Sequence, residues 1–290
     1  MASRVKIKTF NPYEKNPETG KYIHDLRGKV IIILGPRGAG KSTLIKHILS
    51  IIGDIPIIKV INGTEESTHH YSDFVPDIMV ENDYEPEVLE DFIKRQKDIF
   101  KKAKNDPLYR NVDKRAILLL DDCLYDNSWS KHKLMRFIFM NGRHLHITTI
   151  IAMQTPMGIP PALRSNIDYV FICRHNNEND LKTIYTNYVN GFKSKKAFEK
   201  VHSKCTSNYK VLVIHKTSQS DKMNEIVFHY KAQLHPNLRL GHPLLWEYHR
   251  KNFDINYENK KEKMEKEIER IKKEQKRRKR SNDIEKVELL

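Results

Sequence analysis

The chain has 290 residues, 39% of them apolar and 31% charged, which suffices for one large α/β core with a small appendage. Its formal net charge is +15; residues 258–280 carry a net +6 and residues 281–290 a net −2, so +11 remains on residues 1–257. A basic body suits a polyanionic partner, most simply nucleic acid, although a generally Lys-rich composition would look the same. No apolar run approaches the ~20 residues of a membrane span, and neither a secretory leader nor N-myristoylation is expected, with Ala2 behind the first methionine.

Taken in chain order, residues 1–28 mix charge with turn formers, and a short strand is expected at 5–10. An apolar run at 30–34 predicts a buried strand. After a glycine-rich octet, Leu44, Ile45, Ile48, Leu49 and Ile52 form one helical stripe, with Gly53 as its stop. A second strand is predicted at 57–61, ending at Asn62-Gly63, and a short one at 77–80. Pro86 suits the first turn of a helix whose stripe is Val88, Leu89, Phe92, Ile93, Ile99 and Phe100. Residues 116–120 are continuously apolar, as a strand buried on both faces requires. Leu134, Phe137 and Ile138 mark the next helix, which Gly142 is expected to stop, and 147–153 is a further buried strand. Residues 155–161 are turn-rich and lead into a short helix holding Arg164; 169–173 is another strand. Helices are predicted at 181–189 and 195–201, then an antiparallel pair at 210–215 and 225–231. Strands alternating with helices predict an α/β fold with a mainly parallel, doubly wound sheet. Cys123, Cys173 and Cys205 have no close pairing and read as small core residues in a reducing compartment.

From about residue 256 the pattern changes. Glu262/Lys266, Glu269/Lys273 and Glu274/Arg278 are i,i+4 pairs in the favourable order, so 258–280 is expected to be a solvated single helix. Its basic run at 272–280 has three open readings: a nuclear-localisation signal, a nucleic-acid contact, or simply a charged helix face.

The chemistry centres on GPRGAGKS, residues 35–42, which fits the P-loop pattern G-x-x-x-x-G-K-[ST] between a strand and a helix. A triphosphate needs a concave row of backbone N–H donors at a helix N-terminus, where the dipole also favours anions. The expected nucleotide-binding residues are therefore Gly35, Pro36, Arg37, Gly38, Ala39, Gly40, Lys41, Ser42 and Thr43. Lys41 would reach the β/γ-phosphates and the Ser42 hydroxyl would hold Mg²⁺. Asp121 and Asp122 follow an apolar strand, where P-loop enzymes place a second Mg²⁺ contact; Asp121 is assigned to the metal, through water, and Asp122 to polarising the attacking water. Gln154 ends the neighbouring strand, and its amide can donate to phosphate and accept from water. It suits a nucleotide sensor, or else is an ordinary surface polar residue. Arg143 is the candidate arginine finger reaching a neighbouring subunit's γ-phosphate, with Arg164 as its rival; either could instead be a plain surface arginine. His69-His70 and His144-x-His146 lack metal-site spacing with other ligands and are read as non-ligands.

GPRGAGKS, NGTEES (62–67), LLLDDC (118–123), NGRHLHITTIIAMQ (141–154) and PPALRSNIDYVF (160–171), in that order, resemble the virion DNA-packaging ATPases of poxviruses and other large cytoplasmic DNA viruses, a branch of the FtsK–HerA superfamily. The P-loop is generic; the last two segments discriminate. The resemblance covers roughly residues 29–246 and implies a P-loop NTPase domain there, after an N-terminal extension at 1–28 and before a linker and basic helical tail at 247–290. It further implies an oligomeric ring, typically hexameric in the superfamily, that hydrolyses ATP with Mg²⁺ to move double-stranded DNA into a capsid. Host cytoplasm and virion are then the expected locations, and capsid or virion components the expected partners. Resemblance also supports a sensor at Gln154 and a finger acting in trans near Arg143. One departure is that many superfamily members carry Asp-Glu where this chain has Asp121-Asp122. A related motor of a large DNA transposon, or a nucleotide-dependent assembly switch with little turnover, are the alternatives; no N-K-x-D guanine motif occurs.

Overall fold

Strands that are apolar at every position demand a sheet covered on both faces, and the central sheet is built that way. The computed structural model describes residues 7–123, 127–156, 159–254, 256, 267, 268 and 270. Among them are nine strands: β1 (Lys8–Thr9), β2 (Val30–Leu34), β3 (Ile57–Asn62), β4 (Val80–Glu81), β5 (Ala116–Asp121), β6 (Ile147–Met153), β7 (Tyr169–Ile172), β8 (Lys210–His215) and β9 (Val227–Lys231). They form one sheet in the order β1-β9-β8-β7-β2-β6-β5-β3-β4. Every pairing is parallel except β7 with β8 and β8 with β9, so the antiparallel edge pair at 210–215 and 225–231 is present.

The period-two geometry of a strand divides its side chains between two cores. Ile32 and Leu34 of β2 pack in one cluster with Leu89, Phe92, Met135, Ile184 and Phe198. Ile31 and Ile33 pack in the other with Leu44, Ile45, Ile48 and Leu49. The first cluster is covered by helices Pro86–Asn105, Lys133–Asn141, Glu178–Tyr188 and Lys195–Cys205, the second by helix Lys41–Ile51. The expected stripe of Lys41–Ile51 is its buried face. In Pro86–Asn105, Leu89, Phe92 and Ile93 are buried while Val88, Ile99 and Phe100 are half-buried. In Lys133–Asn141 the buried face is Met135, Ile138 and Phe139, with Leu134 and Phe137 half-buried. Phe10 enters the second core at 1% exposure, edge-on to Phe171, Phe228 and Tyr230, and β1 pairs with β9. All three cysteines are buried and free.

Two local expectations are corrected, and a third is met by a different geometry. Residues 77–80 are not one strand: Asp77–Met79 is a 3₁₀ turn and only Val80 and Glu81 pair with β3. The α-helix does end at Asn141 with Gly142 as its C-cap, but Gly142 keeps right-handed angles (φ −55°, ψ −37°) and opens a 3₁₀ turn, Gly142–Leu145. His146, at φ +52°, is the residue that turns the chain. Glu225 lies in a short helix, Met223–Ile226, so β9 begins at Val227.

By contact density the chain divides into two units, 1–247 and 248–290. In the second, the helix expected at 258–280 lies outside the described residues except for Glu267, Ile268 and Arg270, which are helical.

Candidate active site

In a parallel sheet all strand C-termini share one edge, and β2 lies between β6 and β7 at the point where the chain crosses from one side to the other. Such a switch point is where ligands bind in open α/β sheets. The octet leaves β2 there and runs into helix Lys41–Ile51. Two of its glycines meet the expected need for tight curvature: Gly38 and Gly40 have φ of +76° and +89°, a region that costs other residues strain. Gly35 serves differently. A Cβ there would lie 2.7 Å from the Cβ of Cys173, so glycine lets the loop pack against β7. Gly40 caps the helix, and the N–H groups of the residues behind it belong to the first turn, which has no intrahelical acceptors. Lys41 is 7% exposed, with Nζ 3.5 Å from the Pro36 carbonyl. Ser42 and Thr43 are exposed at the helix start.

Register carries the acidic pair to the same edge. Asp121 is opposite Ala152 of β6 and Asn62 of β3. It is 6% exposed, accepts the Tyr71 hydroxyl on Oδ2 at 2.6 Å, and its Oδ1 is buried with no hydrogen-bond partner among the described residues. Burial pushes its carboxyl up to about 6, with Asp122 and Glu65 adding to the rise and the Tyr71 bond and Lys41 opposing it. Asp122 turns through a left-handed conformation, φ +47°. Its carbonyl is covered so closely by Gly63 that a Cβ there would stand 2.6 Å from it. Gln154, first residue after β6, donates from Nε2 to Asp122 Oδ2 at 3.0 Å. Glu65, which the sequence offered no reason to single out, is saturated: it accepts from Asn62, from the backbone of Tyr71 and Ser72, and from the Ser72 hydroxyl. Its role is to fold the 64–72 loop so that Tyr71 reaches Asp121.

Lys41, Ser42, Asp121, Asp122 and Gln154 thus gather on one edge. Arg143 and Arg164 do not join them. Arg143 lies before the start of β6, a seven-residue strand whose two ends are ~20 Å apart. Arg164 ends the short helix Pro161–Arg164 before β7 begins, and its charge is felt by Lys216, which follows β8 at that same far edge. Neither can reach this chain's own P-loop. The residue missed from sequence is Tyr71, whose polar surroundings carry no motif.

The donor set fits a magnesium-bound triphosphate. The cradle turns on two left-handed glycines, Asp121 Oδ1 is buried and unpartnered among the described residues, and Ser42 is exposed at the helix start; carboxylate and hydroxyl are both hard oxygen ligands. Among the described residues no group of three or more acidic, His or Cys side chains is placed to hold a metal by itself, and no helix is long and apolar enough to cross a membrane.

The family model described as "Poxvirus A32 protein" matches residues 25–237. Uncharacterized protein 075L of Invertebrate iridescent virus 6 is 36% identical over 228 residues, covering 78% of this chain and 85% of that protein. Uncharacterized protein L437 of Acanthamoeba polyphaga mimivirus is 35% identical over 205 residues, covering 70% and 72%. Among solved structures, B204, the DNA-packaging ATPase from Sulfolobus turreted icosahedral virus, is similar at 21% identity and a TM-score of 0.48, covering 71% of this chain and 98% of that one.

Proposed function

The chain belongs to the Poxvirus A32 protein family, and on that premise we propose that it is an ATPase that packages the genome of a large DNA virus, translocating double-stranded DNA into the capsid as an oligomeric ring. The observation that carries the ATPase reading is the meeting of the P-loop, Asp121-Asp122 and Gln154 on one sheet edge. In this reading the backbone of residues 35–43 holds the phosphates, and Lys41 neutralises the β/γ charge. Ser42 and, through water, Asp121 would hold Mg²⁺, which when bound would supply charge neutralisation of the leaving phosphate. Asp122 accepts a proton from the attacking water, and Gln154, already bonded to Asp122, couples that base to the γ-phosphate. The nucleotide-binding body is taken to span residues 29–246.

DNA as the partner is supported by the net +11 of residues 1–257 and by the packaging enzymes that the motifs resemble. Assembly in the host cytoplasm, with capsid or virion components as docking partners, follows from the same resemblance. The experiment is ATP hydrolysis with and without duplex DNA, joined to a sizing measurement of the nucleotide-bound species. DNA-stimulated turnover by a ring is expected, and Lys41→Ala should abolish it. Turnover that ignores DNA, or a species that stays monomeric with nucleotide, would instead favour an assembly switch.

A further inference from the structure

The octet accounts for the phosphates of a nucleotide and leaves its other half without a place. Next to it lies a cavity of about 550 Å³, walled on one side by residues 36–39 and on the other by Arg174, Asn176 and residues 206–210. That size is ordinary for a small-molecule site. Topology explains the second wall. Arg174 follows the C-terminal end of β7, and β8 runs antiparallel to β7, so the turn before β8 arrives at the P-loop edge.

Three observations mark this wall as more than a crevice. Tyr209 is 72% exposed, an unusual place to leave an aromatic ring. It and Asn208 are both left-handed, with φ of +57° and +53°, so the turn carries strain to present that ring. Tyr209 also leans on the cradle itself: a Cβ at Gly40 would lie 3.4 Å from its Cδ1. On the same wall, the Arg174 guanidinium is pinned by the Ser203 carbonyl at 2.7 Å and by Asn176 Oδ1 at 3.2 Å. No acidic residue lines the cavity, as a polyanionic ligand requires.

We propose that this cavity holds the nucleoside half of the bound triphosphate, with the Tyr209 ring stacking on the base. The inference rests on the reading of residues 35–43 as a triphosphate cradle. Stacking on an aromatic ring tolerates any base, and removing such a ring costs about 5- to 150-fold in affinity.

The test measures binding to the full chain by calorimetry with two probes, a non-hydrolysable ATP analogue and inorganic tripolyphosphate. Tyr209→Ala should weaken the analogue about tenfold or more and leave tripolyphosphate unchanged, whereas Tyr209→Phe should bind both as the parent does. Lys41→Ala should weaken both probes. An unchanged analogue affinity in Tyr209→Ala, or equal losses for the two probes, overturns the proposal. If the parent binds neither probe, the cradle itself is misread and the nucleoside site falls with it. Thermal unfolding of each variant separates these outcomes from misfolding.

Discussion

Gln154 Nε2 donates to Asp122 Oδ2 at 3.0 Å, a contact between the first residues beyond two neighbouring strands. It joins the residue read as base to the residue read as sensor. Asp122→Asn should retain nucleotide and lose hydrolysis, because the amide fits but accepts no proton. Gln154→Ala should bind nucleotide normally and hydrolyse about 10- to 100-fold more slowly, the usual worth of a hydrogen bond to a charged group. If the pair acts as a unit, the double variant should be no slower than Asp122→Asn alone. Additive losses in single-turnover rates would mean that the two side chains work independently.

Tyr71 gives a second test. Its hydroxyl occupies one oxygen of Asp121 and leaves the other open. Tyr71→Phe keeps the ring in its fully buried place and removes only the donor. The Mg²⁺ concentration needed for half-maximal hydrolysis should rise several-fold, with saturated turnover much less affected. Unchanged Mg²⁺ dependence would reduce Tyr71 to a packing residue.

How much of this was readable beforehand depended on the physics of each element. β2, β5 and β6 are apolar at every position, and a strand buried on both faces tolerates nothing else. The edge holding Lys41, Asp121, Asp122 and Gln154 was legible for a related reason: in a parallel sheet, residues that end apolar runs must come together. Residues 77–80 misled because Ile78, Met79 and Val80 look like a strand, yet only Val80 and, beyond the expected segment, Glu81 find a partner there. Gly142 marked the end of its α-helix, yet not through a positive φ: it stays right-handed and packs against Ile138 and Ile147. Tyr71 and Tyr209 were invisible, since what matters is where a polar loop delivers a ring, and no periodicity records that.

Acid should destabilise the fold through its buried histidines. Burial pushes His47, His202 and His215 down to about 4. Between pH 6.5 and 4 the unfolded chain binds protons that these rings refuse when folded, so stability is full above about 6.5 and falls with pH. For His202, which is 1% exposed, the loss approaches ~3 kcal/mol at pH 4. His202 Nε2 donates to the Cys173 carbonyl, and His202→Gln retains a donor without a titrating group. Its unfolding temperature should therefore decline less than the parent's between pH 7 and 5. Parallel declines would place the acid sensitivity in other groups.

DNA binding should be electrostatic and indifferent to sequence, because the charge is spread over the body and no base-reading module is recognisable. Phosphate contacts release counterions, so affinity should fall steeply with salt on unrelated duplexes alike. Removing residues 258–290, which carry a net +4, should weaken binding and leave ATP hydrolysis in place. A flat salt response, or strong preference for one duplex, would contradict this.

Arg143 is exposed, and its distance from the P-loop of its own chain turns its assignment into a strict one: it assists hydrolysis in trans or not at all. A guanidinium at a γ-phosphate stabilises transition-state charge and contributes ~10³–10⁵ in rate in well-studied NTPases. Arg143→Ala should therefore bind ATP and assemble, yet hydrolyse very slowly. Lys41→Ala has a dead cradle and an intact Arg143. Mixed rings should recover part of the activity, because a Lys41→Ala subunit can lend its arginine to an Arg143→Ala neighbour. The measurement is hydrolysis across mixing ratios once subunit exchange is established. Normal hydrolysis by Arg143→Ala alone would move the role to Arg164, which the same far edge also restricts to a neighbour's site. An inactive Arg143→Ala that no partner rescues would point to the packing of the 142–145 turn instead, and Arg143→Lys would then be active while a finger requires the planar guanidinium.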